Sequence, residues 1–308
     1  MSKYFEATLK ARNAKRPDDM LLAAIQEERE EVTTVTPIKE EPAVAATTPV
    51  SPSVPSVTPA PIANPSGDAR LANCKKFSLP LQEISHIQFT NKDSLEPAEE
   101  SYRALRTRLL RLRASQELRS IVITSAVQGE GKTLTSLNSA LCFAQLHDMR
   151  VLLVDADIRS CGLSRAIKSL SGAGLADILS GQCKPEEAIL ATDHPNLYVL
   201  NSGTTTMPAA ELFASAHWPS FIGWCNETFR LTIVDSPPVL NLSDVELISG
   251  ACDGVLMVVR ALQTKRKVLE KCVGQIDSKK LLGIVYNGAA VGSHYAYGYK
   301  AYGAGNSE

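Results

Sequence analysis

Short apolar runs recur from residue 120 onward, at 120–124, 150–155, 197–201, 231–235, 254–260 and 281–286. They are rich in Val, Ile and Leu and lack strict alternation, the pattern of strands buried on both faces. Between them, helical stretches are predicted over 132–147, 208–216, 218–228 and 264–276. A further helix is predicted over 97–114. Pro97 suits its first turn, and Tyr102, Leu105, Leu109 and Leu112 recur at helical spacing. Strands alternating with helices imply an α/β fold whose mainly parallel sheet is covered by helices on both faces.

The first part of the chain breaks this rhythm. Within residues 1–30, Tyr4, Phe5 and Leu9, then Leu21, Leu22 and Ile25, suggest short apolar helix faces. Eight prolines fall between Pro37 and Pro65 among Val, Thr, Ser and Ala. Proline removes backbone donors and fixes φ, so residues 31–74 are expected as an extended linker. The folded domain is expected over residues 75–288. Residues 289–308, rich in Gly and Tyr, are expected as a mobile tail.

Composition narrows the function classes. In 308 residues, 44% are apolar, enough for a substantial core. The formal net charge of −1 gives no global basic field, so no nucleic-acid partner is expected. The seven cysteines are scattered and none stands in a metal-ligand spacing, which points to a reduced compartment. No secretory signal opens the chain, and no apolar run approaches the ~20 residues that span a bilayer.

The first predicted strand runs into Ser-Ala-Val-Gln-Gly-Glu-Gly-Lys-Thr, residues 125–133, and then a helix. This is the context of a P-loop NTPase phosphate loop. Gly129 and Gly131 let the backbone close on an anion, and the helix N-terminus adds its dipole. Lys132 can reach the β- and γ-phosphates and Thr133 can offer its hydroxyl to Mg²⁺. The stretch Gly129-Glu130-Gly131-Lys132-Thr133-Leu134 is therefore the candidate nucleotide cradle. Ala126 stands where the strict motif has its first Gly. The second strand ends in Asp155-Ala-Asp157-Ile-Arg159, and a later one ends in Asp235-Ser-Pro-Pro. Parallel sheets bind ligands beyond the carboxyl ends of their strands. One of Asp155 and Asp157 can organise a metal and the other can accept a proton, and Asp235 holds the Walker B position.

Together these motifs resemble the bacterial tyrosine kinases of capsule and exopolysaccharide biosynthesis, over roughly residues 78–302. Lys132 and Thr133 match the family's first nucleotide motif, Asp155, Asp157 and Arg159 its second, and Asp235 its third. The stretch Asn196-Leu-Tyr-Val-Leu-Asn-Ser-Gly203, followed by Pro208-Ala-Ala-Glu-Leu212, also looks like the family. Gly283-Ile-Val-Tyr-Asn287 resembles the strand whose Asn lies near the adenine. Glu100-x-x-Arg103-x-x-Arg106 matches a helical motif that contacts the neighbouring subunit. The tail carries Tyr295, Tyr297, Tyr299 and Tyr302, half of the chain's eight tyrosines. Two departures stand out: Gln128 replaces the usual Pro before Gly-Glu-Gly, and Ser160-Cys161-Gly162 replaces a basic-Pro segment.

The resemblance implies an ATP- and Mg²⁺-dependent protein-tyrosine autokinase that regulates exopolysaccharide or capsule synthesis and export. Lys132, Asp155, Asp157 and Asp235 would be its catalytic residues. Thr133, Asp157 and Asp235 would hold Mg²⁺, and Arg159 and Asn287 would join the nucleotide site. Glu100, Arg103 and Arg106 would build a homo-oligomeric ring, and the four tail tyrosines would be autophosphorylated. Partners would be a separate transmembrane adaptor of the polysaccharide co-polymerase type and protein substrates of polysaccharide synthesis. The protein would lie in the cytoplasm, at the inner face of the cell membrane through that adaptor. Two other readings share the fold: a switch-type P-loop ATPase, and a nucleotide-bound scaffold of an export complex. Partition-type switch ATPases carry an additional Lys five residues before the main one, where Val127 stands here.

Overall fold

The structure, a computed structural model, describes residues 69–88, 97–168, 170–240 and 244–289. The helix faces expected within 1–30, nearly all of the Pro-rich stretch and the tyrosine cluster at 295–302 lie outside the described residues.

The elements follow in order: β1 Lys75–Phe77, α1 Pro97–Ser115, β2 Ser120–Ser125, α2 Lys132–Ala144, β3 Val151–Asp155, α3 Gly162–Ala166, α4 Leu175–Leu179 and α5 Pro185–Ala188. Then come β4 Leu190–Thr192, β5 Leu197–Leu200, α6 Ala209–Ala214, α7 His217–Thr228, β6 Leu231–Asp235, α8 Asp244–Gly250, β7 Gly254–Arg260, α9 Arg266–Val273 and β8 Leu281–Asn287. They build one eight-stranded sheet in the order β1-β4-β5-β3-β6-β2-β7-β8. Every pairing is parallel except β4 with β5.

Successive residues of a strand point to opposite faces, and here both faces are dry. Val122, Leu152, Val154 and Val234 pack into one core beneath α4, α6, α7, α8 and α9. Ile121, Ile123, Leu153 and Ile233 pack into the other beneath α1, α2 and α3. This is why β2, β3 and β6 read as near-continuous apolar runs. Trp218 anchors the first core: it is fully buried, and its indole N–H donates to the Ile248 carbonyl at 3.1 Å.

The structure differs from the sequence expectation at the edges. β1 and β4 were not expected, because three residues each, with Lys or Thr among them, leave no apolar run to see. The helix expected to 147 ends at Ala144, where the Leu146 N–H bonds the Phe143 carbonyl and Asp148 takes φ 56°. The 264–276 helix is trimmed to α9. Packing begins ahead of Lys75: Leu71 enters the first core, while the Arg70 guanidinium lies 5.9 Å over the Trp224 ring and bonds Glu227 at 3.0 Å. Among the described residues no helix is long and apolar enough to cross a membrane.

Candidate active site

β3, β6 and β2 are neighbours in the sheet, and their carboxyl ends deliver Asp155, Asp235 and the loop at residues 126–131 to one edge. The loop turns on Gly129 and Gly131, with φ of 86° and 92°, values that side chains with a Cβ rarely adopt. Ala126 has no positive φ and is fully buried, its carbonyl taking the Leu240 N–H. The missing first Gly of the motif therefore costs this loop no backbone freedom.

α2 starts directly after Gly131, so Lys132 and Thr133 stand at its N-terminus. The Lys132 ammonium donates to Asp157 Oδ2 at 2.8 Å and lies 4.0 Å from Asp235 Oδ2. The Thr133 hydroxyl donates to Asp235 Oδ2 at 2.7 Å. One turn on, the Ser136 hydroxyl donates to Asp235 Oδ1 at 3.1 Å. Asp155 is held differently: Ser164 gives both its N–H and its hydroxyl to Asp155 Oδ2, at 2.9 and 2.8 Å. Asp157 Oδ1 accepts the Ser160 N–H at 3.1 Å.

Three buried carboxylates thus face one buried ammonium, and this imbalance sets the electrostatics. Burial pushes the Asp235 carboxyl up to about 7, against the pull of Lys132. Burial raises Asp155 as well, against the Ser164 hydrogen bonds. For Lys132, burial opposes the charge, but Asp235, Asp157 and Asp155 outweigh it and its pKa lies above the ordinary lysine value. Among the described residues no group of three His, Cys, Asp or Glu side chains is placed to hold a metal by itself. The Thr133 hydroxyl and the carboxylates of Asp157 and Asp235 are hard oxygen donors, the ligand type that Mg²⁺ takes together with water and phosphate oxygens.

The remaining candidates divide. Asn287, at the end of β8, donates Nδ2 to the Glu130 carbonyl at 2.8 Å and lies so close to Gly131 that a Cβ there would meet Nδ2 at 2.0 Å. The Glu130 carboxylate faces inward, accepting the Val127 N–H at 2.8 Å and the Thr264 hydroxyl. Only its backbone remains to face a ligand. Leu134 is partly buried against the second core. Arg159 stands apart from the cluster, its Nε donating to Asp244 Oδ2 at 2.8 Å. On α1, Arg103 pairs with the buried Glu99 at 2.9 Å and more distantly with Glu100 at 3.8 Å, while Arg106 donates to the Cys142 carbonyl.

Sequence reasoning missed four contributors. Ser136 was findable, since it lies four residues after Lys132 and so on the same helix side. Ser164 and Thr264 reach Asp155 and Glu130 only through the fold. Gly162 was noticed only as a departure. Its α-carbon lies against the site, and a Cβ added there would stand 2.8 Å from Thr133 Oγ1 and 3.6 Å from Lys132 Nζ.

Known proteins resemble this chain in sequence and fold. The family described as an AAA domain matches residues 118–279. Tyrosine-protein kinase YwqD of Bacillus subtilis is 32% identical over 215 residues, 69% of this chain and 90% of that protein. Tyrosine-protein kinase CpsD of Streptococcus agalactiae is 34% identical over 192 residues, 61% of this chain and 82% of that protein. Among solved structures, the BceF tyrosine kinase domain is 26% identical with a TM-score of 0.57, over 74% of this chain and 89% of that domain. With an eight-stranded P-loop sheet, the Lys132–Asp157–Asp235 cluster and relatives at this level of identity, the chain belongs to the bacterial tyrosine-protein kinase family.

Proposed function

We propose that this protein transfers the γ-phosphoryl group of ATP to protein tyrosine, its own C-terminal tyrosines included, and so regulates exopolysaccharide or capsule synthesis and export. The observation that carries the reading is the cluster of Lys132, Thr133, Asp157 and Asp235 in mutual contact at the N-terminus of α2.

In this reading the loop at 129–134 cradles the phosphates with its backbone N–H groups, and Lys132 neutralises the β- and γ-phosphates. The donor set fits Mg²⁺. Thr133, Asp157 and Asp235 would hold it, directly or through water, and the ion would supply charge neutralisation on the phosphates. Moving the Lys132 ammonium onto the phosphates frees Asp157 Oδ2, which it occupies at 2.8 Å. The tyrosine oxygen then bonds to the γ-phosphorus as the bond to the ADP oxygen breaks. Its proton passes to Asp155 or Asp157, since a phenol with pKa near 10 is neutral at pH 7. Asn287 completes the nucleotide site by fixing the Glu130–Gly131 peptide, while Arg159, paired with Asp244, stands outside it.

Glu100, Arg103 and Arg106 belong to the subunit contact of a ring, and a separate membrane adaptor holds the protein at the membrane. Fully extended, the residues from 289 to 308 would span on the order of 60 Å at about 3.3 Å per residue, enough to reach a neighbour's site. The test is phosphosite mapping by mass spectrometry after co-expression with the adaptor's cytoplasmic segment, beside a Lys132→Met variant. Phosphate on Tyr295, Tyr297, Tyr299 or Tyr302 in the wild type alone is expected. Bare tails in both, with ATP still hydrolysed, would overturn the kinase reading in favour of a switch ATPase.

A further inference from the structure

Arg159 closes the Asp-x-Asp-x-Arg strand end, yet its guanidinium turns away from the cluster that the two aspartates build. It grips Asp244 instead, with Nε donating to Oδ2 at 2.8 Å and Nη2 to Oδ1 at 3.3 Å. The two ends of this pair differ in setting. The Arg159 side chain is 51% exposed, whereas that of Asp244 is 2% exposed. A carboxylate buried without an opposite charge is strongly destabilising. Asp244 is therefore held in the fold by its pairing with Arg159, and no step of the phosphoryl transfer described above uses it.

Asp244 is a fixed point. It opens α8, whose Val245 and Ile248 are buried in the first core and whose Ile248 carbonyl takes the Trp218 indole N–H. The far end of α8 is held by Lys280, whose ammonium donates to the Ser249 and Gly250 carbonyls at 2.8 and 2.6 Å. Arg159 sits in a tight turn that starts at Asp157. The Asp157 carbonyl accepts the Ser160 and Cys161 N–H groups, and Asp157 Oδ1 also accepts the Ser160 N–H. These bonds shape the turn from within. From outside it is tied by Lys132 on Asp157 Oδ2, by Ile158, partly buried against the first core, and by Arg159 on Asp244. Moving Lys132 onto the phosphates removes the first of these ties. Of the other two, the Arg159–Asp244 pair is the directional, charge-assisted one.

We infer that Asp244 is a positioning residue for phosphoryl transfer: through Arg159 it holds the turn that carries Asp157 while Lys132 is engaged with the nucleotide. The inference rests on the proposed reaction, in which Asp157 organises the metal or takes the phenolic proton. It gives Arg159 a task in that reaction without a place in the nucleotide site.

The test is steady-state tyrosine phosphorylation by the full-length chain with the adaptor's cytoplasmic segment, at varied Mg-ATP. Rates are expressed per nucleotide-binding site, counted by calorimetry, so that unfolded protein does not enter them. Asp244→Asn keeps the side-chain shape and leaves Arg159 to water. Arg159→Gln alone would strand a buried carboxylate, so the second variant is the double, Asp244→Asn with Arg159→Gln. In Asp244→Asn, kcat should fall about tenfold, the equivalent of about 1.4 kcal/mol, with KM for ATP within about twofold of the wild type, because Lys132 and the phosphate loop are untouched. The double variant should fall no further. A kcat per site equal to the wild type, with only the urea midpoint lowered, would overturn the inference and leave the pair as a tie between loop and helix. Losses that multiply in the double variant would also overturn it, since Asp244 would then act other than through Arg159. A wild type that hydrolyses ATP without phosphorylating tyrosine would defeat the kinase reading instead. The same three proteins would then be compared by hydrolysis rate, with the same two outcomes counting against Asp244.

Discussion

Replacing Asp235 by Asn should stabilise the ligand-free protein, and increasingly so as pH rises. Asp235 is fully buried, and its carboxyl sits at about 7 instead of the ordinary 3.8. Its ionised form is thus disfavoured in the fold. The sign follows from linkage: between about pH 4 and pH 7 the folded state holds a proton that the unfolded state has lost, so stability falls as pH rises through that window. The shift of about 3 units corresponds to about 4 kcal/mol in full, at about 1.36 kcal/mol per unit. Part of it is already present at pH 5, so the advantage of the Asn variant should grow by about 2–3 kcal/mol between pH 5 and pH 8. Lys132 stays protonated throughout, because the surrounding carboxylates outweigh the cost of its burial. The assay is urea unfolding at several pH values in chelator and reductant. Excess Mg-ATP should reverse the order, because a ligand that binds only the folded state stabilises the wild type in proportion to its affinity. A difference between the two proteins that is flat from pH 5 to pH 8 would refute the argument.

Two further substitutions separate site from scaffold. Gly162→Ala puts a methyl group 2.8 Å from Thr133 Oγ1 at the start of α3, where alanine is the better helix former by up to about 1 kcal/mol. Thermal stability should hold while Mg-nucleotide affinity, measured by calorimetry, falls about tenfold or more, the effect of losing about 1.4 kcal/mol; unchanged affinity would show that the Thr133 hydroxyl takes no part. Asp253→Ala removes the acceptor for the Arg119 N–H, the Ser120 N–H and the Ser120 hydroxyl, with Ser120 fully buried. It should cost about 2–4 kcal/mol in urea unfolding, and a loss under about 1 kcal/mol would mean that water replaces the carboxylate.

How far the sequence reaches depends on where each residue finds its partner. The six longer strands were legible because burial on both faces demands mostly Val, Ile and Leu, a demand written into contiguous residues. β1 and β4 were not, because a three-residue strand at a sheet edge is fixed by the strand beside it. Phe77, for instance, owes its strand geometry to pairing with Thr192, 115 residues away. The same division runs through the site. Lys132, Thr133, Asp155, Asp157 and Asp235 were legible because phosphate chemistry constrains residue type at a strand end. Ser164 and Thr264 are ordinary residues until the chain folds back and sets them against Asp155 and Glu130.

The departures from the family pattern follow that logic too. Ala126 replaces a glycine at a position that needs no positive φ, so local sequence marks a loss that the backbone does not feel. Gly162 replaces a bulkier segment where a Cβ would press on Thr133, so the smallest residue stands where the site is tightest. Cys161, just before it, takes φ 47° and so carries the turn that brings Gly162 against the site. A motif comparison scores all three positions alike as mismatches. The physical weight of each is set by its φ value and by how near a Cβ there would stand to Lys132 and Thr133, and by that measure the Gly162 position, with the Cys161 turn that places it, weighs most.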